Sequence, residues 1–248
     1  MQWGSFGIVH IVSLAAAAAM VAGLYFALKG KSARTQTAVL GVLSFSGIAA
    51  VLYNLLMWGE PLAYLPLHLC SLNAMALPIA VFTRSKTVNN LLLVWSLGAL
   101  AALVMNTEMA EATVFSGPFC FYYFPHVLEF GIPLLMFKLG LAEKDDRCIG
   151  STLAISMGFY TVIHLLNLAI NAYCAANQIL DSAGEVLTVN YMFSIIPSNP
   201  LLALFYAVIP YEYWYMYMIV PIVALYLVII YAPQLRSRLL RKKYKKAT

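Results

Sequence analysis

Charge is what this sequence has least of. Asp, Glu, Lys and Arg make up 10% of its 248 residues and hydrophobic residues 62%. A soluble domain is about 25% charged and about half apolar, so a water-soluble globular fold is excluded. Alternation of period two is missing from the apolar runs, which argues against a membrane β-barrel. No internal repeat or low-complexity tract occurs, so an inverted-repeat transporter is not suggested. A removable signal peptide is not expected, because the first apolar run, Gly4 to Leu28, is too long for one and lacks a basic start. The net charge of +5 comes from the C-terminal tail and not from a nucleic-acid-binding surface. No metal-ligand spacing such as HExxH is present, and no two of the four histidines share a predicted helix. A metal site from His10, His68, His126 and His164 is therefore only weakly signalled.

What the sequence does contain is a series of apolar runs near the roughly 20 residues that cross a bilayer as helix. They predict an all-α polytopic membrane bundle with seven transmembrane helices: about Gly4–Leu28, Gln36–Met57, Pro66–Phe82, Asn90–Met105, Tyr123–Leu141, Gly150–Tyr173 and Tyr211–Tyr231. Lysine and arginine fall only after the first, third, fifth and seventh of these: Lys29, Lys31 and Arg34; Arg84 and Lys86; Lys138, Lys144 and Arg147; then Arg236 to Lys246. The positive-inside rule puts the N-terminus outside and the C-terminus in the cytoplasm. Ser85 and Cys148 then lie inside, and Glu60, Glu111 and Asp181 outside. The expected organisation is a transmembrane domain over 1–233 and a basic cytoplasmic tail over 234–248, which meets anionic headgroups or simply anchors the topology. The setting is the cell membrane, with membrane lipids as partners.

In that topology all four histidines gather toward the extracytoplasmic side. Pro66 reads as a helix start, and His68, Cys70, Ser71 and Asn73 follow within two turns. Polar groups inside a membrane helix are candidates for function. Cys70 is the candidate nucleophile, because a thiolate is reactive and a helix N-terminus or an imidazolium favours it; the alternative is a buried apolar filler. His68 is two residues away and on another face of a regular helix. The base is therefore expected from another helix. His126 has the matching depth, and Glu129, one turn below it, is expected to hold one of its ring nitrogens. Ser156, Tyr160, His164, Asn167 and Asn171 share one face of the sixth helix, lining a cavity or bonding neighbouring helices. Cys120 and Cys174 both fall outside, where a disulfide would persist. Asn199 to Pro210 is apolar but too short to span, and Tyr211 to Tyr217 reads as an aromatic belt at the outer boundary.

The run Leu65-Pro66-Leu67-His68-Leu69-Cys70 resembles the signature helix of the YwaF-like integral membrane proteins. Asn190-Tyr191-Met192, with Pro197, Asn199-Pro200 and the aromatic run beyond, resembles that family's other hallmark, and His10 and His126 also fit. Ser71-Leu72-Asn73 and Pro210-Tyr211-Glu212-Tyr213-Trp214 depart from the family pattern, which bears on the substrate more than on the fold. The resemblance implies kinship with a vertebrate membrane acyltransferase that remodels ether phospholipids. It implies Cys70 and His126 as the catalytic pair; His68, Asn73, Glu129, His164, Asn167, Asn190, Tyr191 and Asn199 are the expected substrate-binding or supporting residues. The expected activity is transfer of an acyl chain between phospholipids or lysolipids through a cysteine thioester, without a cofactor. An outer-leaflet lipid hydrolase and a non-catalytic lipid binder or transporter are the alternatives. Asn73, Asn167 and Asn190 are candidate oxyanion donors.

Overall fold

A computed structural model describes residues 1–106 and 109–247, with the side chains of residues 1–106 and 109–237. Nine α-helices are present among them: α1 Ile8–Leu28, α2 Ala33–Ser44, α3 Ser46–Met57, α4 Leu69–Thr83, α5 Lys86–Met105, α6 Gly117–Lys138, α7 Cys148–Ala176, α8 Pro200–Val208 and α9 Val220–Ala247. Only two isolated β-bridges, Gln2 with Thr113 and Leu180 with Val186, interrupt the helical plan in the described chain. Six helical stretches are long and apolar enough to cross a membrane: Ile8–Leu28, Ala33–Met57, Lys86–Met105, Gly117–Lys138, Cys148–Ala176 and Trp214–Ser237. The chain is a multi-pass all-α membrane protein.

Several boundaries differ from the sequence expectation: the span expected at Gln36–Met57 is two helices, α2 and α3, parted at Phe45, and α9 begins at Val220 and not at Tyr211. Helix α4 has only 15 residues, about 22 Å at 1.5 Å per residue, and is shorter than a full crossing. Pro66 does not start it. Leu67 N–H closes a tight turn onto Leu65 O (2.7 Å), His68 is extended (φ −75, ψ 155), and the first helical bond is Leu72 N–H to His68 O. The preceding loop is pulled aside, since Tyr191 Oη donates to Leu62 O and Glu60 Oε1 accepts from Ser182 N–H. Helix α6 begins two turns before Tyr123, where Ser116 Oγ accepts from Phe119 N–H and Pro118 occupies the first turn, a start signal written in the sequence. Helix α9 continues through Pro233 to Ala247, so its backbone extends into the expected tail. Of that tail, Thr248 and the side chains from Arg238 onward lie outside the described residues.

Side-chain contacts gather the basic connections at one end. Arg84 Nη2 donates to Thr37 Oγ1 (2.7 Å), and Lys86 pairs with Glu143 (3.5 Å) and Asp145 (3.6 Å). At the other end Trp3 N–H reaches Ala112 O and Gly4 N–H reaches Ala110 O. The core between α4, α5 and α6 is built on Leu77, Val81, Leu92, Ile132 and Met136. The short α8 packs Leu202 and Phe205 on Tyr215. Of the expected aromatic belt, Tyr211 and Trp214 are exposed, whereas Tyr215 is fully buried and Tyr213 stacks on Tyr160 (centroids 5.1 Å).

Candidate functional site

Two polar clusters meet near the non-basic end. The first lies between α3, α4 and α6. Pro133 has no N–H, so Glu129 O on α6 loses its helical partner. Asn73 Nδ2, on α4, donates to that carbonyl at 3.4 Å. Re-satisfaction by a neighbouring helix is what makes proline tolerable in a membrane helix. The Glu129 carboxyl turns toward α3 and α4, where an added Cβ on Gly47 would sit 2.6 Å from Oε1 and 2.5 Å from Ala74 Cβ. Glu129 Oε2 and Asn73 Oδ1 are buried with no partner.

His126 sits one turn above Glu129 and is 8% exposed. Its Nδ1 is 2.6 Å from Tyr122 O, and its ring packs on the Tyr122 ring (centroids 4.3 Å). A carbonyl only accepts, so Nδ1 carries the proton of the neutral ring and Nε2 presents its lone pair. Glu129 therefore does not orient His126: its carboxyl is drawn to the space left by Gly47, and a main-chain carbonyl of α6 does the orienting. Cys70 is the second residue of α4 and half-buried, nearer the helix start than a Pro66 origin implied. First-turn N–H groups have no partner within the helix. Helices α4 and α6 run in the same direction. Asn73 and Glu129 meet, and Cys70 and His126 each lie three residues earlier on their helices.

The second cluster joins the start of α4 to α7 and the segment after it. His68 packs its ring on Tyr191 (5.2 Å) and Phe193 (5.6 Å). Asn167 Oδ1 accepts from Tyr191 N–H (3.0 Å), while Nδ2 donates to Tyr191 O (2.8 Å) and Ser194 Oγ (2.9 Å). Asn171 holds Val189 in the same two-way manner. Ser194 Oγ lies 3.0 Å from His164 Nδ1, and the His164 ring faces Tyr213 (5.0 Å). Tyr160 Oη donates to Tyr213 O, and Ser156 Oγ accepts from Trp95 Nε1. The polar stripe of α7 is therefore occupied in bonding neighbours.

Asn190 bonds Ile196 O, Ser198 Oγ and the N–H groups of Ile195 and Ile196, and Asn199 caps α8 through Leu202 N–H. With Asn167 also committed and Asn73 Nδ2 turned to Glu129 O, all three expected oxyanion donors are engaged in hydrogen bonds. His10 stands apart. It accepts from Phe6 N–H and bonds Leu103 O, fastening the N-terminus to α5. Among the described residues no three His, Cys, Asp or Glu side chains gather as metal ligands. No disulfide joins Cys120 to Cys174.

Gly47, Tyr122 and Ser194 matter here without a signal in the sequence; an isolated glycine, a carbonyl and a lone serine show nothing until helices meet. Gly47→Ala is expected to lower stability by about 1–3 kcal/mol, the cost of overpacking, because the new methyl meets Ala74 Cβ and lies 3.2 Å from its Cα. Gly98→Ala meets only the mobile end of Leu69 (2.8 Å) and should cost less. Thermal midpoints in detergent compare the two; equal midpoints would remove the tight α3–α4 contact.

The TMEM164 family model matches residues 5–231, a span that takes in both clusters. No curated protein and no solved structure gives a match.

Proposed function

Because the chain belongs to the TMEM164 family, we propose that it is a membrane-lipid acyltransferase working through a thioester on Cys70. The observation that carries this reading is the contact of α4 and α6. Cys70 and His126 each lie three residues before a partner of the Asn73–Glu129 contact, which supports pairing them, and Nδ1 of His126 is already held by Tyr122 O. The resemblance to YwaF-like proteins and their vertebrate phospholipid-remodelling relative supports the same pair. His68, Tyr191, His164, Asn167, Asn190 and Asn199 act in support, holding the wall beside Cys70.

Nε2 of His126 takes the thiol proton and the thiolate attacks the ester carbonyl carbon of a phospholipid. The tetrahedral oxyanion is favoured by the N–H groups and dipole at the start of α4. Collapse breaks the ester C–O bond, and the leaving alkoxide takes the proton from the imidazolium, giving a lysolipid and an acyl thioester. Nε2 then takes the proton of an acceptor hydroxyl, which attacks the thioester and restores the thiol. One oxygen ester replaces another, so no cofactor is needed. A site below the headgroups excludes water and favours transfer over hydrolysis.

The test supplies a diacyl phospholipid, labelled in the acyl chain, to the purified protein with and without a lysophospholipid acceptor. Label in the acceptor supports transfer. Label appearing only as free fatty acid makes the protein a hydrolase, and no turnover in either arm leaves a non-catalytic binder.

The reading further takes α4 and the loop before it as a seventh crossing, with the N-terminus outside and the site extracytoplasmic. The clustering of basic connections at one end supports this through the positive-inside rule. In a background lacking native cysteines, Glu111→Cys should react with an impermeant maleimide in intact cells. Lys31→Cys should react only after permeabilisation. The opposite pattern would turn the site to the cytoplasm.

A further inference from the structure

A cleft of about 890 Å³ runs along α6, walled by α1 on one side and by α5 and Ile230 of α9 on the other. It exists because α1 packs through few positions: its buried residues are His10, Ala17 and Leu28, so none lies between Ala17 and Leu28. Close contact there is at Val21, whose Cγ2 is 2.6 Å from where a Cβ on Gly131 would be. Along α1 the lining extends from Leu14 to Phe26, about 18 Å of apolar wall.

The cleft's chemistry is uneven. Its walls are aliphatic and aromatic, but Lys138 and Lys144 line one end. Neither lysine forms an ion pair among the described residues. Two of the nearby acids face other cations: Glu143 pairs with Lys86, and Asp145 with Lys86 (3.6 Å) and Arg147 (2.7 Å). Hydrogen bonds from Arg147 hold the Asp145 carboxyl well below the usual carboxylate range, so it remains charged and turned to that pair. Lys29 adds a third cation at this end, 5.8 Å from the ring of Tyr25, itself a lining residue.

We infer that this cleft is a binding site for an anionic glycerophospholipid, with one acyl chain along α1 and α6 and the headgroup phosphate at Lys138 and Lys144. The lipid is not the reacting one. Lys138 is twelve residues from His126 on α6, about 18 Å along the helix axis, so the ester bonds of a lipid seated there lie far from Cys70. The site and the proposed acyl transfer are therefore separate, and either can fail without the other.

The test reconstitutes the full chain in nanodiscs of equal phosphatidylglycerol and phosphatidylcholine, extracts it mildly, and counts retained lipids by native mass spectrometry. Phosphatidylglycerol should be retained over phosphatidylcholine by about fivefold per lysine engaged. Lys138→Ala with Lys144→Ala should return the ratio to that of the bilayer, while arginine at both positions keeps the enrichment. Ala18→Trp, which fills the cleft from α1, should lose the retained lipid with both lysines intact. Enrichment unchanged in the double alanine variant would assign the charge to the tail and overturn the site. So would equal retention of the two lipids, or a dimer that Ala18→Trp dissociates, which would make a second copy the occupant.

Discussion

Cys70→Ser should lose nearly all acyl transfer while the protein keeps its thermal midpoint. The substitution changes one atom in the first turn of α4 and removes the thiolate, leaving a hydroxyl that is a much weaker nucleophile at neutral pH. Wild-type protein given labelled phospholipid and no acceptor should retain label that neutral hydroxylamine releases, since a thioester yields far faster than an oxygen ester. His126→Ala should lower acylation by roughly 10²–10⁴-fold, the usual contribution of a positioned base, without abolishing lipid binding. Glu129→Gln should act mildly, because the carboxyl faces Gly47 and Ala74 and not the imidazole. Substantial turnover by Cys70→Ser, with no label trapped in the wild type, would make the thiol a packing group. A direct transfer assisted by histidine would then replace the thioester route.

Asn167→Ala is expected to be the most damaging substitution outside that pair. Asn167 is fully buried and makes three hydrogen bonds, two to the main chain of Tyr191 and one to Ser194 Oγ. Hydrogen bonds between membrane helices are worth only about 0.6 kcal/mol on average, because the separated helices find other partners. Here the bonded backbone belongs to a non-helical stretch, with Met192 at φ 52, and Tyr191 is buried. Among the described residues its N–H has no other partner, and its C=O keeps only a long bond (3.4 Å) from Ser194 N–H. The expected loss is about 2–4 kcal/mol, the cost of stranding buried polar groups, read as a lower thermal midpoint and faster amide exchange over residues 189–194. Asn177→Ala, an exposed position bonded only to Tyr173 O, should change neither. Acyl transfer should also fall, since the Tyr191 ring supports His68 at the start of α4. An unchanged midpoint and exchange pattern would show that the segment is held by something else.

Much of this was legible in the residues. Apolar length set the helices, the lone polar groups marked α4, α6 and α7, and the alternation of basic connections announced the two ends. The contact of Asn73 with the Glu129 carbonyl was not legible, since Glu129 was expected to face His126. Pro66 permits a helix without requiring one, and the pull of Glu60, Leu62 and Tyr191 on the preceding loop delays the start of α4 to Leu69. Ser116 and Pro118 mark a start of α6 earlier than Tyr123.

The sequence by itself determined class, because hydrophobic length depends only on the chain and its solvent. Partner choice was decided by the tertiary structure. Whether Glu129 faces His126 or Gly47 depends on which neighbouring helix leaves a methyl-sized space. Whether His126 needs a carboxylate depends on the Tyr122 carbonyl within reach of Nδ1. The cleft beside Lys138 and Lys144 arises where α1 stands off from α5, and a gap between helices has no representation in either helix alone.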